Sequence, residues 1–220
     1  MRLSILLFDG FTALDVVGGY EVLANIPGMT LEFVAAAPGP VAADSGALGL
    51  MASMAYDQLN ASDILYVPGG PGVASALHDQ ALRDCIGRVD ATSSWTVGIC
   101  NGVLLLGAAG LLDGRRVTTN YFARGQASAY GAEVLPRRHV QDGRLLTGAG
   151  VSSSIDTALY LAAQLGGETM ARAIQLGIEY YPEPPFGNGT PDAQPQALKD
   201  LVAHAEQTGA ERLRARRIPF

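Results

Sequence analysis

A strand that runs into a helix with no loop between them, and with a cysteine on the corner, is compatible with few architectures. The stretch Ser94-Trp95-Thr96-Val97-Gly98-Ile99-Cys100-Asn101-Gly102-Val103-Leu104-Leu105-Leu106-Gly107 is such a corner. Trp95, Val97 and Ile99 alternate with the period of two of a pleated strand, and an apolar helical run follows through Leu111. Gly98 and Gly102 flank Cys100 and permit the tight path that the corner needs. This is the layout of a nucleophile elbow with sulfur in place of the serine oxygen. Unpaired N–H groups and the dipole at a helix N-terminus favour an anion, so the Cys100 pKa is expected to fall and thiolate to form. The competing reading is the common one for a free cysteine, a small buried hydrophobe.

The rest of the chain alternates strands with helices. Leu3 to Phe8, Thr30 to Ala37, Asp63 to Val67 and Arg116 to Thr119 read as strands, as do short runs near Val134 and Val140 and the run from Leu145. Their near-continuous apolar character is that of strands covered on both faces. Helical stretches fall at Val16 to Asn25, Val73 to Ala91, a segment ending at Tyr130, Ser152 to Leu165 and Glu168 to Tyr180. Pro38 to Met54 reads as irregular with a small hairpin, and Asp142-Gly143 as a hairpin turn. Short connections between such elements predict a single-domain α/β fold, a doubly wound and mostly parallel sheet sandwiched by helices. The domain is expected over residues 1–190. Residues 191–220 form a tail whose Ala197 to Ala215 is an amphipathic helix, after a Pro-rich segment from Pro182 to Pro195.

At 220 residues with a net charge of −6, the chain suits one domain and offers no basic stripe for phosphates, which argues against nucleic acid as a partner. Arg115-Arg116, Arg137-Arg138 and Arg212, Arg214, Arg216 and Arg217 read as solvated or dimer-rim charge. Cys85 and Cys100 give no disulfide framework and no metal-ligand spacing, and a reducing cytoplasm is expected. The apolar run at the N-terminus is too short for a signal peptide or a membrane span.

Right-handed crossovers place the C-terminal ends of parallel strands on one rim. Asp15, Gly69-Gly70, Cys100 and Asn120 each stand just after a predicted strand, so four chemical pieces converge there. Asp15 reads either as the N-cap of the helix that follows or as a carboxylate facing the cleft. Gly69 and Gly70 would present free N–H groups as an oxyanion hole. No G-K-[ST] follows them, so the turn is not a phosphate-binding loop. His78 and Cys85 belong to no such constellation.

Phe8-Asp9-Gly10-Phe11 with Leu14-Asp15, Val67-Pro68-Gly69-Gly70, Ile99-Cys100-Asn101-Gly102, Leu106-Gly107-Ala108-Ala109-Gly110-Leu111-Leu112 and Thr147-Gly148-Ala149-Gly150 together resemble the ThiJ/PfpI superfamily. The resemblance runs from Leu3 to about Pro191. Ile178-Glu179-Tyr180 with Pro182 and Pro184-Pro185-Phe186 points to its isonitrile (isocyanide) hydratase branch. It implies a flavodoxin-like fold close to that of the class I glutamine amidotransferases, a homodimer, Cys100 as nucleophile and Asp15 as its carboxylate partner. Most of the superfamily has glutamate near that position, and the hydratase branch has aspartate, as here.

Two positions depart from the pattern. Threonine usually follows the cysteine in that branch and histidine in the peptidase-like branch, whereas here it is Asn101. A histidine often follows the threonines matching Thr118-Thr119, whereas here it is Asn120. His78, His139 and His204 match none of these positions, so a Cys–His triad is not supported, which weakens protease and amidase readings.

The resemblance thus implies a lyase that hydrates a small isonitrile through a Cys100 thioimidate. Asp15 would handle protons, Gly69, Gly70 and the Asn101 N–H would stabilise charge, and the Asn101 and Asn120 amides would orient water or substrate. That chemistry asks for no cofactor. The alternatives are another cysteine-dependent enzyme of the superfamily, glyoxalase/deglycase- or amidase-like, and a non-enzymatic redox or small-molecule sensor.

Overall fold

The structure is a computed structural model that describes residues 1–187 and 189–215. In chain order its elements are β1 (Arg2–Leu6), α1 (Ala13–Leu23), β2 (Thr30–Ala35), β3 (Gly39–Ala42), β4 (Gly49–Ala52), β5 (Met54–Ala55), β6 (Ile64–Val67), α2 (Val73–Ala76), α3 (Gln80–Asp90) and β7 (Trp95–Ile99). Then follow α4 (Val103–Ala108), β8 (Arg116–Val117), α5 (Arg124–Ala129), β9 (Glu133–Val134), β10 (His139–Asp142), β11 (Leu145–Gly148), α6 (Ser153–Gly166), α7 (Glu168–Gly177) and α8 (Gln196–Ala215).

The central sheet has seven strands in the order β10-β11-β7-β6-β1-β2-β5. All its neighbours pair in parallel except β10, which closes an antiparallel hairpin with β11. Strands β1, β6 and β7 are buried almost throughout, as their continuous apolar runs require of a sheet covered on both faces. Helices α1, α6 and α7 pack together, and α2 to α5 form a second group. This is the single-domain, doubly wound, mostly parallel α/β fold that the sequence predicts.

Several local expectations need correction. Helix α1 starts at Ala13, so Asp15 lies inside its first turn; Thr12 takes the cap position. The stretch from Val73 to Ala91 is two helices, because the Asp79 side chain caps α3 by accepting from the Leu82 N–H at 3.2 Å. The strand expected at Arg116 to Thr119 is only the two-residue β8, which pairs with β9 outside the main sheet. The serines opening α6 make no side-chain caps. Ser152 instead accepts from Arg138, and the Ser154 hydroxyl donates to the Leu14 carbonyl at 3.0 Å. The basic run's last members, Arg216 and Arg217, lie outside the described residues.

At the rim away from Cys100, Asp90 ties the end of α3 to the sheet. Its carboxylate accepts from Thr96 at 2.5 Å and from both Arg144 nitrogens at 2.5 and 2.8 Å.

Candidate active site

Three neighbouring parallel strands build one rim. β7 leads into Cys100, β6 into the Pro68–Gly70 turn, and β1 through Asp9–Thr12 to Asp15 on α1. Ligands in open α/β sheets bind beside such strand ends. Cys100 has φ +56°, the left-handed region a non-glycine residue seldom occupies. That conformation carries about 1 kcal/mol of strain and is what an elbow demands of its central residue. The corner is a short 3₁₀ turn, Cys100–Gly102, before α4, which ends at Ala108 rather than Leu111. Close packing against β6 explains the flanking glycine: a Cβ on Gly102 would lie 2.3 Å from the Pro68 carbonyl oxygen.

The predicted residues meet, but not all in the expected way. Asp15 is fully buried, and its Oδ2 accepts the Gly69 N–H at 2.8 Å. The Gly70 N–H donates to Asn101 Oδ1 at 2.7 Å, while Asn101 Nδ2 donates to the Gly70 carbonyl at 3.1 Å. Both glycine amides are therefore occupied, and the free oxyanion hole expected at Gly69-Gly70 is not formed. The Asn101 amide is likewise committed to stitching the elbow to the β6 turn. Asn120 Nδ2 donates to Cys100 Sγ at 3.2 Å, so Asn120 does reach the thiol. It gets there from outside the main sheet because the Thr118 N–H donates to Thr147 Oγ1 at 2.8 Å and Thr119 Oγ1 donates to the Cys100 carbonyl at 2.7 Å.

Electrostatics overturn the expectation of a low thiol pKa. Burial, and next the Asp15 carboxylate, push Cys100 well above the ordinary thiol value. The Asn101 N–H and the Asn120 amide pull the other way without prevailing. A six-residue α4 supplies too small a dipole to change that balance. Asp15 is itself pushed up to about 8, chiefly by burial, against the lowering effect of the Gly69 N–H. Both groups are accordingly neutral at pH 7. Since Oδ2 already accepts an N–H, the Asp15 proton belongs on Oδ1, a buried atom with no hydrogen-bond partner among the described residues.

Sequence reasoning did not single out Tyr66, whose hydroxyl donates to the Asp15 carbonyl at 2.7 Å and fixes the first turn of α1. A buried tyrosine in an otherwise aliphatic strand was the available signal. His78 is exposed, and His139 stacks on Tyr160 at the sheet edge; no histidine among the described residues is hydrogen-bonded to Cys100. Cys85 is buried in α3, and its burial pushes the thiol up to about 11. No group of three or more His, Cys, Asp or Glu able to hold a metal occurs among the described residues, and no described helix is long and apolar enough to cross a membrane.

The model of the DJ-1/PfpI family matches residues 1–164. The chain belongs to the DJ-1/PfpI family. Among DJ-1/PfpI relatives, the isonitrile hydratase of Pseudomonas putida is 38% identical over 200 residues, which is 91% of this chain and 87% of that protein. An HTH-type transcriptional regulator of Pseudomonas aeruginosa is 33% identical over 173 residues, covering 76% of this chain and 51% of the regulator. A solved structure of a ThiJ/PfpI family protein from Pseudomonas syringae superposes with a TM-score of 0.87 at 31% identity, covering 96% of this chain and 89% of the other. The DJ-1/PfpI elbow and the strand ends beside it all lie within the matched region.

Proposed function

We propose that the protein hydrates isonitriles to N-substituted formamides, with Cys100 as nucleophile and Asp15 as proton carrier. The observation that carries this reading is the buried, neutral Asp15, whose Oδ2 is held by Gly69 and whose Oδ1 has no partner among the described residues. An isonitrile carbon is a weak nucleophile that becomes strongly electrophilic once it gains a proton. It therefore needs an acid and a sulfur nucleophile in one enclosed place.

Asp15 donates its Oδ1 proton to the terminal carbon as Cys100 Sγ bonds to the same carbon. The S–H proton passes to the Asp15 carboxylate, leaving R–N=CH–S–Cys100, a thioimidate, beside a neutral acid. Water then adds to that carbon while Asp15 transfers a proton to nitrogen and accepts one from the water. The C–S bond breaks, the sulfur regains its proton, and R–NH–CHO leaves. Isonitrile plus water equals formamide, and no redox partner is consumed. The Asn120 amide, donating to Sγ, stabilises sulfur as it leaves.

Similarity to the Pseudomonas putida hydratase supports the same reaction. A glyoxalase- or amidase-type activity has less support because no imidazole base stands beside the thiol. A redox-sensor role also has less support, because a thiol whose pKa is raised by burial oxidises slowly. The test is formamide production from simple aryl and alkyl isonitriles. Wild type is expected to turn over and Cys100→Ala to be inactive; no turnover across the panel overturns the proposal.

A further inference from the structure

The placement of α8 bears on what can reach Cys100. On α8 the residues Lys199, Val202, Glu206, Gly209 and Leu213 form one stripe at intervals of three and four, and Lys199, Gly209 and Leu213 are partly covered. The Leu213 methyl carbons lie over Gly10, within 2.7 Å of where a Cβ on that glycine would stand. Gly10 belongs to the loop from β1 to α1, whose Thr12 N–H donates to the Gly69 carbonyl at 2.8 Å. Ahead of the helix, Asp192 pairs with Arg124 at 2.9 Å, next to the Asn120–Ala123 turn. Anchors on both sides of the elbow thus lay α8 along the catalytic rim.

Glu206 stands two turns before Leu213 on that stripe, and its charge is felt at three places on the rim: Asp15, Cys100 and Tyr121. Asp200 also acts on Tyr121, and Asp44 acts on both Asp15 and Glu206. Asp44 sits on the same rim, accepting from the Thr12 hydroxyl at 3.0 Å. On this side Arg124 is engaged by Asp192, and Lys199 stands seven residues from Glu206 along the helix.

We propose that α8 roofs the catalytic cleft and that Glu206 makes its mouth charge-selective, admitting neutral and cationic isonitriles, amine-bearing ones foremost, and rejecting carboxylate-bearing ones. This rests on the hydratase reading for the identity of the substrate, but the selection is a property of access to Cys100 alone. An exposed glutamate on a roof helix costs little stability to replace, so the variants are expected to fold.

The experiment measures how fast Cys100 in the full-length protein is modified at pH 7.5 by three small methanethiosulfonates. One carries an ethylammonium, one a methyl and one an ethylsulfonate group; peptide mass mapping separates Cys100 from Cys85. Each forms a mixed disulfide with the thiolate and releases methanesulfinate. In wild type the cationic reagent is expected to react fastest and the anionic one slowest. Glu206→Gln should slow the cationic reagent and speed the anionic one by about fivefold each, the effect of one unit charge over about 8 Å at an effective dielectric constant near 40, and so shrink the cation-to-anion ratio by about 30-fold. Glu206→Lys should invert the ratio. The ratio cancels any change in thiolate fraction, which is common to all three reagents.

A ratio unchanged in both variants overturns the proposal. So does failure of all three reagents to reach Cys100 in wild type, since a cleft closed to every solute selects none. Modification needs no turnover, so the absence of formamide production sinks the hydratase reading and leaves this measurement intact.

Discussion

At the scale of single residues, the site replaces ionic activation with neutral partners. An elbow cysteine flanked by an imidazole would be drawn toward thiolate; here Asn120 takes that place and contributes one amide N–H at 3.2 Å. An amide does not titrate, so it can support sulfur without competing for the proton that Asp15 holds. Truncating it removes a hydrogen bond that grows stronger as charge develops on sulfur, about 1.5–3 kcal/mol. Asn120→Ala is therefore expected to lower kcat/KM for an isonitrile by about 10- to 100-fold, mostly through kcat, in steady-state assays of formamide formation. Asn101 has a different part. Its side chain exchanges two hydrogen bonds with Gly70, so it braces the corner rather than meeting a reactant. Both asparagines were visible in the sequence as departures from the family pattern, but their separate duties were not, because each depends on which backbone lies opposite.

At the scale of elements, the sheet was legible because its strands are continuous apolar runs, and the elbow because glycines bracket a cysteine at a strand end. What escaped were features set by a few atoms. The first turn of α1 begins three residues earlier than its apolar period suggests, and that shift is what turns Asp15 from a candidate cap into a buried acid. Strand β8 looked like a core strand but forms only two pairs with β9, and Asn120 reaches the rim through threonine hydrogen bonds instead. Away from the chemistry, Asp90 fastens α3, β7 and the β10–β11 hairpin together. Its loss leaves Thr96 without its acceptor, whereas Arg144 keeps the Asp90 backbone carbonyl at 2.8 Å, is partly exposed and recovers water for the rest. Asp90→Ala is expected to cost about 2 kcal/mol, a fall of about 5 °C in Tm by scanning calorimetry, with little effect on Cys100.

At the scale of the whole molecule, the buried acid sets a tension between stability and chemistry. Asp15 holds its proton up to about 8 when folded, against an ordinary carboxylate value of 3.8 when exposed. The folded state therefore binds the extra proton between those values, and the stability that Asp15 contributes is full below about pH 4 and is lost progressively as pH rises toward 8. Asp15→Asn keeps an acceptor for the Gly69 N–H and removes the titration. It should flatten that slope and be more stable than wild type at pH 8, on the order of a few kcal/mol, in urea unfolding at pH 6 and pH 8. A variant that gains stability while losing turnover is what a site maintained for function rather than for stability is expected to give. Asp15 lies near enough to Cys100 to act on its charge because β1, β6 and β7 stand side by side, and α8 adds acidic charge that neither strand pattern nor motif disclosed.

The pairing of a neutral acid with a neutral thiol is tested most directly by the pH dependence of formamide formation from an aryl isonitrile between pH 5 and pH 10, in wild type and Asp15→Asn. An Asp15 that must be protonated predicts a wild-type kcat/KM that falls as pH rises through about 8, with no turnover in the variant. A rate that climbs through pH 8 and 9, or a variant that retains wild-type turnover, would contradict Asp15 as the acid and return the chemistry to a free thiolate.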